Sequence, residues 1–386
     1  SSWSQVISSG NHMLAIRADG ALFAWGKNSE GQLGDGTTVS KSSPVQIGTS
    51  SWSILPSSIT IFNSHAIRID GRLFGWGGNT VGGPVGDSTN INRSSPVQVG
   101  TSSWTQVSHG EGSTFAIRSD GALFSWGNSY YGNLGHNSYA SYNSPLQIGT
   151  SSWTLVRATG RGAYTIYAIR KDGALFAWGS GAYGEIGNNF YANQSSPVQV
   201  GSDSWIQITT GYGKSTTGLP VYAINSNNKL FQWGTTLAGS YRTPVQVASL
   251  SSHNWTLLQN LPNAQIDSTQ IQWLTLTRSD NKQFIIYPNI YSYNNEYESS
   301  TPVLFTDIIS YSSPTQIGIG GTWIKSSAGT GQNYLINNAN VLYSWGYRVL
   351  SAGLIENDNS ITPITADIDS AVANKAFYGF RGYIEK

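Results

Sequence analysis

Five histidines, His12, His65, His109, His136 and His253, are the side chains of this chain best suited to hold a metal ion or to relay a proton. A metal needs several ligands converging on one point, and a triad needs a nucleophile and an orienting acid around the imidazole. These histidines fall at different places from one repeat of the chain to the next, so their spacing supports neither arrangement. The carboxylates Asp19, Asp70, Asp120 and Asp172 do recur at one place, each two residues after Arg17, Arg68, Arg118 or Arg170 and directly before a glycine. Such repetition suits a hairpin turn carrying a solvated ion pair, not acid–base catalysis.

Two further patterns have a chemical reading. The strings Gly31-Gln32-Leu33-Gly34, Gly132-Asn133-Leu134-Gly135 and Gly184-Glu185-Ile186-Gly187 would cradle a phosphate only if they opened a helix. They recur between predicted strands, which makes them turns. Tryptophan stacking as a light sensor is the other, but indoles at fixed repeat positions suit a packed core. Charge narrows the field: 11% of residues are charged and the net charge is +1, which provides no field for a phosphate backbone or an anionic membrane. The absence of cysteine removes disulfides, thiolate metal sites and thiol nucleophiles together. No apolar run approaches the roughly 20 residues of a membrane-spanning helix. The expectation is a non-enzymatic chain with no cofactor, no metal, no nucleic-acid partner and no membrane insertion. Residue 1 already falls inside the first repeat, so no leader segment is in view.

The elements that position these side chains repeat seven times, about every fifty residues. A first tryptophan anchor opens each repeat at Trp3, Trp52, Trp104, Trp153, Trp205, Trp255 and Trp323. A second closes a Leu-Phe-x-Trp-Gly run at Trp25, Trp76, Trp126, Trp178, Trp233 and Trp345, with Ile286 in the sixth repeat; of all 14 indoles only Trp273 lies outside both columns. Between the anchors, strings such as Ala116 to Phe124 read as a hairpin with an Asp-Gly turn, because glycine accepts positive φ at no steric cost. Asn227-Asn228, Asp280-Asn281 and Ala339-Asn340 hold that turn in the degenerate copies. The prolines Pro44, Pro96, Pro145, Pro197, Pro244, Pro314 and Pro363 mark a last strand on a sheet edge, where no ladder hydrogen bond is lost. Four short antiparallel strands per repeat predict an all-β seven-bladed propeller of four-stranded blades, one domain over 1–386, with 366–386 closing the ring or forming a tail.

These residues resemble the regulator of chromosome condensation repeat family, through Gly10-Asn11-His12-Met13-Leu14-Ala15-Ile16, the Asp-Gly turn, Trp-Gly, Gly-x-Leu-Gly and the proline before the last strand. The histidine of that pattern is replaced elsewhere by Asn63, Ser113, Thr165 or Pro220. The resemblance covers roughly 1–365 and implies the propeller fold. Its members include an exchange factor for the nuclear-transport GTPase, a plant ultraviolet-B photoreceptor and a secreted bacterial β-lactamase inhibitor, so it implies binding but no single use. The acidic and basic faces of the exchange factor and the Gly-Trp-Arg-His-Thr string of the photoreceptor are both missing. A sialidase-type box is only superficially similar, because its Asp-to-Gly spacing differs from Asp120-Gly121.

Antiparallel order sends the loops after the first and third strands to one face and the Asp-Gly turns to the other. The loop face varies in length, from 27–43 and 78–95 to 288–313, and carries Tyr130, Tyr131, Tyr139, Tyr142, Tyr183, Tyr191, Tyr241, Tyr291, Tyr293 and Tyr297 among Ser, Asn and Gly. Tyrosine gives rigid amphipathic area while small polar residues adapt around it, as in an antibody paratope. The expected partner is a protein or glycan surface, with the protein extracellular or on a virion. The alternatives are an intracellular guanine-nucleotide exchange factor or adaptor, and an architectural subunit contacting other assembly subunits.

Overall fold

The computed structural model describes residues 2–9, 11–158, 164–210, 218–236 and 239–247, then 251, 254–266, 269–278, 283–291, 315–316, 323–329, 332–337, 342–346, 348–349, 355–356 and 362–363. These residues form strands throughout, with a single 3-10 turn at Tyr130–Gly132 and no α-helix among them. The chain is all-β, as the alternating apolar runs and Asp-Gly turns predict.

The first repeat gives β1 (Trp3–Ser8), β2 (His12–Arg17), β3 (Leu22–Gly26) and β4 (Lys41–Gln46), paired antiparallel in that order. Next come β5 (Trp52–Ile54), β6 (Asn63–Arg68), β7 (Arg72–Gly77), β8 (Arg93–Gly110), β9 (Ser113–Arg118), β10 (Ala122–Gly127), β11 (Tyr142–Ala158), β12 (Thr165–Arg170), β13 (Ala174–Gly179), β14 (Gln194–Thr210), β15 (Pro220–Asn225), β16 (Leu230–Thr236) and β17 (Gly239–Gln246). The strands β8, β11 and β14 each serve twice. In β8, Val97 and Gln98 pair with β7, whereas Trp104 to Gly110 pair with β9, so the last strand of one repeat runs on as the first strand of the next. Pro96, Pro145 and Pro197 sit in the outer halves of these strands, which have a neighbour on one side only.

Further on, β18 (Trp255–Ile266), β19 (Thr269–Arg278), β20 (Gln283–Tyr291) and β21 (Thr315–Gln316) make one antiparallel sheet. Another holds β22 (Trp323–Gly329), β23 (Gln332–Asn337), β24 (Leu342–Gly346) and β27 (Thr362–Pro363), beside a small pair of β25 (Arg348–Val349) and β26 (Ile355–Glu356). The strand β1 lies beside β22 and β23, which brings the first sheet against one from the far end of the chain. The span 366–386 lies outside the described residues.

The core sits between successive sheets. Trp52 and Trp76 pack on Ile7, Leu14 and Ile16 of the preceding repeat; Trp104 and Trp126 pack on Ile67 and Leu73; Trp153 and Trp178 on Phe115 and Ile117; Trp205 and Trp233 on Tyr167 and Ile169. All ten indoles from Trp3 to Trp233 are buried. Trp345 lies on β24 and Trp273 on β19. The second-column indoles also reach the preceding repeat by hydrogen bonds. The Nε1–H groups of Trp76, Trp126, Trp178 and Trp233 donate to the carbonyls of Gln32, Pro84, Asn133 and Glu185 at 2.7–2.9 Å.

Those carbonyls belong to the glycine-rich strings. In Gly83-Pro84-Val85-Gly86 the last glycine has φ +85°, and a Cβ there would stand 2.5 Å from Trp126 Nε1; Gly34 meets Trp76 in the same way at 2.7 Å. The string is therefore a socket for the next repeat's indole as well as a turn.

First-column indoles stack differently. Trp3, Trp52, Trp104, Trp153 and Trp205 stand edge-on to Phe23, Phe74, Phe124, Phe176 and Phe231 at centroid distances of 5.2–5.4 Å. Arg17, Arg68, Arg118 and Arg170 lie 5.0–5.4 Å over the first four of those phenylalanine rings. Each guanidinium pairs with its Asp two residues on, at 2.6–3.0 Å.

Candidate binding face

In the first five repeats the loops after the first and third strands are tied together by backbone hydrogen bonds. The amides of Lys27, Gly78, Asn128, Ser180 and Thr235 donate to the carbonyls of Asn11, Phe62, Gly112, Tyr164 and Leu219 at 2.7–3.2 Å. The third loops of the first four repeats also reach the following repeat: the amides of Gly36, Ser88, Asn137 and Asn189 donate to the carbonyls of Ser94, Asn143, Ser195 and Arg242 at 2.7–2.9 Å. Internally, Asn28 Oδ1 accepts from the Leu33 amide at 2.9 Å while Nδ2 donates to Asp35 and to the carbonyls of Thr37 and Val39. Asn79 repeats this pattern with Val85, Asp87, Thr89 and Ile91. These described loop segments are thus braced before any partner arrives, which lowers the entropy cost of binding.

On this scaffold nine of the thirteen exposed large apolar side chains among the described residues stand on these loops: Val39, Phe62, Val81, Ile91, Tyr130, Tyr131, Tyr139, Phe190 and Tyr191. Of the tyrosines expected to bind, Tyr130, Tyr131, Tyr139 and Tyr191 are exposed, and Arg242 lies 5.2 Å over the Tyr191 ring. Tyr142 and Tyr241 are half-buried, each packing against a core cluster, Tyr142 also meeting the His136 ring at 5.5 Å. Tyr183 is half-buried, with its Cβ close to Gly218. Tyr291 ends β20, and Tyr293 and Tyr297 lie outside the described residues.

Composition alone did not point to Val39, Phe62, Val81 and Ile91. Val39 and Ile91 occupy the same place, five residues after Gly34 and Gly86, so aligning the loops would have exposed them. Tyr164 and Glu111 were missed as well; they sit in first loops, and the hydroxyl of Tyr164 hydrogen-bonds Glu111. Burial, then the Glu111 charge, pushes the Tyr164 phenol up to about 12.

The titratable groups singled out in the sequence go elsewhere. His12, His65 and His109 are fully buried, and burial lowers His12 to about 3 and His65 to about 4, with His109 lowered well below its ordinary value. The ring nitrogens of His12 bond Ser9 Oγ and Ser64 Oγ at 2.9 and 2.8 Å, and His65 Nε2–H donates to the Val85 carbonyl at 3.1 Å. The rings of His65 and His109 meet edge to face at 4.6 Å. His136 is half-buried against Ser125 Oγ, and His253 lies outside the described residues. Among the described residues no three His, Asp or Glu side chains converge to hold a metal ion.

On the opposite face the hydrogen bonds of Arg17, Arg118 and Arg170 hold Asp19, Asp120 and Asp172 down to about 2. Each of these carboxylates also accepts from the backbone amide two residues on, which makes it part of its turn.

Comparison with known proteins places these features. A model of the regulator of chromosome condensation (RCC1) repeat matches residues 19–59, 120–160 and 172–216, and a second model of that repeat matches 3–32. The Ultraviolet-B receptor UVR8 of Arabidopsis thaliana is 29% identical over 239 residues, 60% of this chain and 52% of the receptor. The human probable E3 ubiquitin-protein ligase HERC3 is 34% identical over 202 residues, 50% of this chain and 19% of the ligase. The chain thus spans about half or less of the length of these relatives. Human WBSCR16 superposes with a TM-score of 0.64 at 16% identity, covering 85% of this chain and 84% of that one. Prp20p of Saccharomyces cerevisiae superposes with a TM-score of 0.63 at 15% identity, covering 85% and 80%. The two superpositions concern the fold alone.

Proposed function

Since this chain belongs to the RCC1-like repeat family, we propose that it is a non-catalytic binding protein: a single closed propeller of seven four-stranded blades that recognises a protein or glycan surface through its variable-loop face. Ring closure is supported by β1 lying beside β22 and β23. The observation that carries the binding assignment is the concentration of exposed apolar and tyrosine side chains on loops braced from two sides. Monomeric surfaces seldom expose such groups together unless they bind something. Among the described residues the Asp-Gly face offers instead Arg–Asp ion pairs and the exposed Ile69.

Exposure outside a cell or on a virus particle belongs to the same proposal, supported by the low charge and the Ser, Asn, Gly and Tyr content. The second reading is an intracellular adaptor or nucleotide-exchange factor. It is supported by the fold shared with Prp20p, whose structure was described with its binding to Gsp1p and histones.

Glycan and protein arrays, together with nucleotide release from a panel of small GTPases, separate the two. Replacing Val39, Ile91 and Tyr191 together by serine is expected to weaken whichever binding is found at least about tenfold, since buried anchors dominate interfaces. Ile69→Ser on the opposite face should leave it unchanged. Equal binding by the triple variant would move the site off the loop face.

A further inference from the structure

The third repeat departs from its neighbours at one exposed point. Its third loop opens with the 3-10 turn, where Tyr131 has φ 56° and ψ 20°, a left-handed backbone that bulky residues rarely adopt. The aligned place in the second repeat is Gly82, at φ +72°. The next residue, Gly132, fixes the turn, because it lies so close to Ser195 of the fourth repeat that a Cβ would meet it at 2.6 Å. Tyr131 remains 43% exposed, and the one ring described against it is Tyr164, itself half-buried. Strain held on an exposed side chain points to a ligand.

Around Tyr131 the rings of two repeats come together. Tyr164 stands 5.1 Å from Tyr131 and 5.3 Å from Tyr130, the ring planes inclined at 56° and 65°. Glu111, from the first loop of the third repeat, holds the Tyr164 hydroxyl. The result is a shallow cradle with apolar ring faces and hydroxyl tips. The charge of Glu111, its one described carboxylate, acts against a phosphate, a sulfate or an acidic peptide. Three partly exposed tyrosines offer far less than the roughly 800 Å² a stable protein partner covers on each side.

We propose that Tyr130, Tyr131 and Tyr164 hold one pyranose ring of an uncharged saccharide, with Glu111 fixing the Tyr164 edge. This rests on the loop face being the binding face. The apolar face of the sugar lies on the aromatic rings, and its hydroxyls meet the tyrosine hydroxyls and the surrounding water.

The test uses the whole chain, an array of neutral oligosaccharides, and saturation-transfer NMR with methyl β-glucoside, methyl β-galactoside and methyl N-acetyl-β-glucosaminide. Transfer to the sugar ring protons is expected for at least one probe. Tyr131→Gly suits the left-handed backbone, so it should keep or raise the melting temperature while weakening saccharide binding about tenfold or more. No binding of any neutral saccharide by the native chain, or unchanged binding by Tyr131→Gly, overturns the proposal. If a protein from the arrays binds and Tyr131→Gly weakens it while no sugar binds, the saccharide is wrong and the loop face stands. If saccharide binding survives Tyr131→Gly but is lost in Ile69→Ser, both the cradle and the loop face fail.

Discussion

Trp126→Ala is expected to lower the unfolding free energy by about 3–5 kcal/mol, a large part of the 5–15 kcal/mol typical of a domain. The indole is fully buried between the second and third repeats, and its Nε1–H satisfies the Pro84 carbonyl at 2.9 Å. Removing it leaves a cavity and takes from the Pro84 carbonyl one of its two hydrogen bonds, the Thr114 hydroxyl still donating to it at 2.9 Å. The companion change is Gly86→Ala, whose new Cβ would stand 2.5 Å from that Nε1 on a backbone at φ +85°. Overpacking of this kind costs roughly 1–3 kcal/mol. If the glycine is there for the indole, the two changes will not add: Gly86→Ala will cost less in the Trp126→Ala background, where only the backbone strain remains. Urea unfolding of the four proteins measures this, and strict additivity would show that the socket plays no part in stability.

Acidification to about pH 4 is expected to destabilise the fold by several kcal/mol, before the carboxylates of Asp19, Asp120 and Asp172 are lost. The folded-state values of His12, about 3, and His65, about 4, lie below the ordinary 6.5, because burial penalises the charged ring. The unfolded chain therefore binds more protons below pH 6.5, and stability falls as pH drops from there toward the folded values. At 1.36 kcal/mol per pH unit, His65 alone withdraws about 3 kcal/mol by pH 4. His109 acts in the same direction, its charge opposed by burial and by His65 and His12. Asp19, Asp120 and Asp172, held to about 2, contribute only below their ordinary 3.8. Glu185, raised by burial, pulls the other way, since acid neutralises a carboxyl the fold prefers uncharged. His65→Leu, with the residue found at the aligned Leu14, should flatten the pH dependence of the urea midpoint between 6.5 and 4. A slope equal to that of the parent would remove His65 from the account.

Repetition made much of this legible in the residues. Indoles recurring at Trp76, Trp126, Trp178 and Trp233 mark equivalent buried places, and Asp-Gly marks a turn in the first four copies, because local steric demand is the same each time. What stayed hidden lies between repeats. Nothing within one fifty-residue period tells that Gly86 exists for Trp126, since the partners are 40 residues apart and belong to different copies. His65 illustrates a compensation across strands: it pairs directly with Gly75, where the aligned pairs are Leu14 with Ala24, Phe115 with Ser125 and Tyr167 with Ala177. A Cβ on Gly75 would stand 2.6 Å from His65 Nε2, so the glycine makes room for the imidazole. Tyrosine content picked out the variable loops but did not separate Tyr142 and Tyr241, which pack against core clusters, from Tyr130 and Tyr131, which remain outside.

The indole sockets bear on how such a chain drifts over generations. Each socket offers a main-chain oxygen, so glutamine, proline, asparagine and glutamate serve equally at 32, 84, 133 and 185. A copy duplicated or exchanged by recombination would meet a compatible seat beside any sister copy, whatever side chain had accumulated there. Novelty can therefore gather in the outward residues of a loop while its grip on the following copy is inherited unchanged.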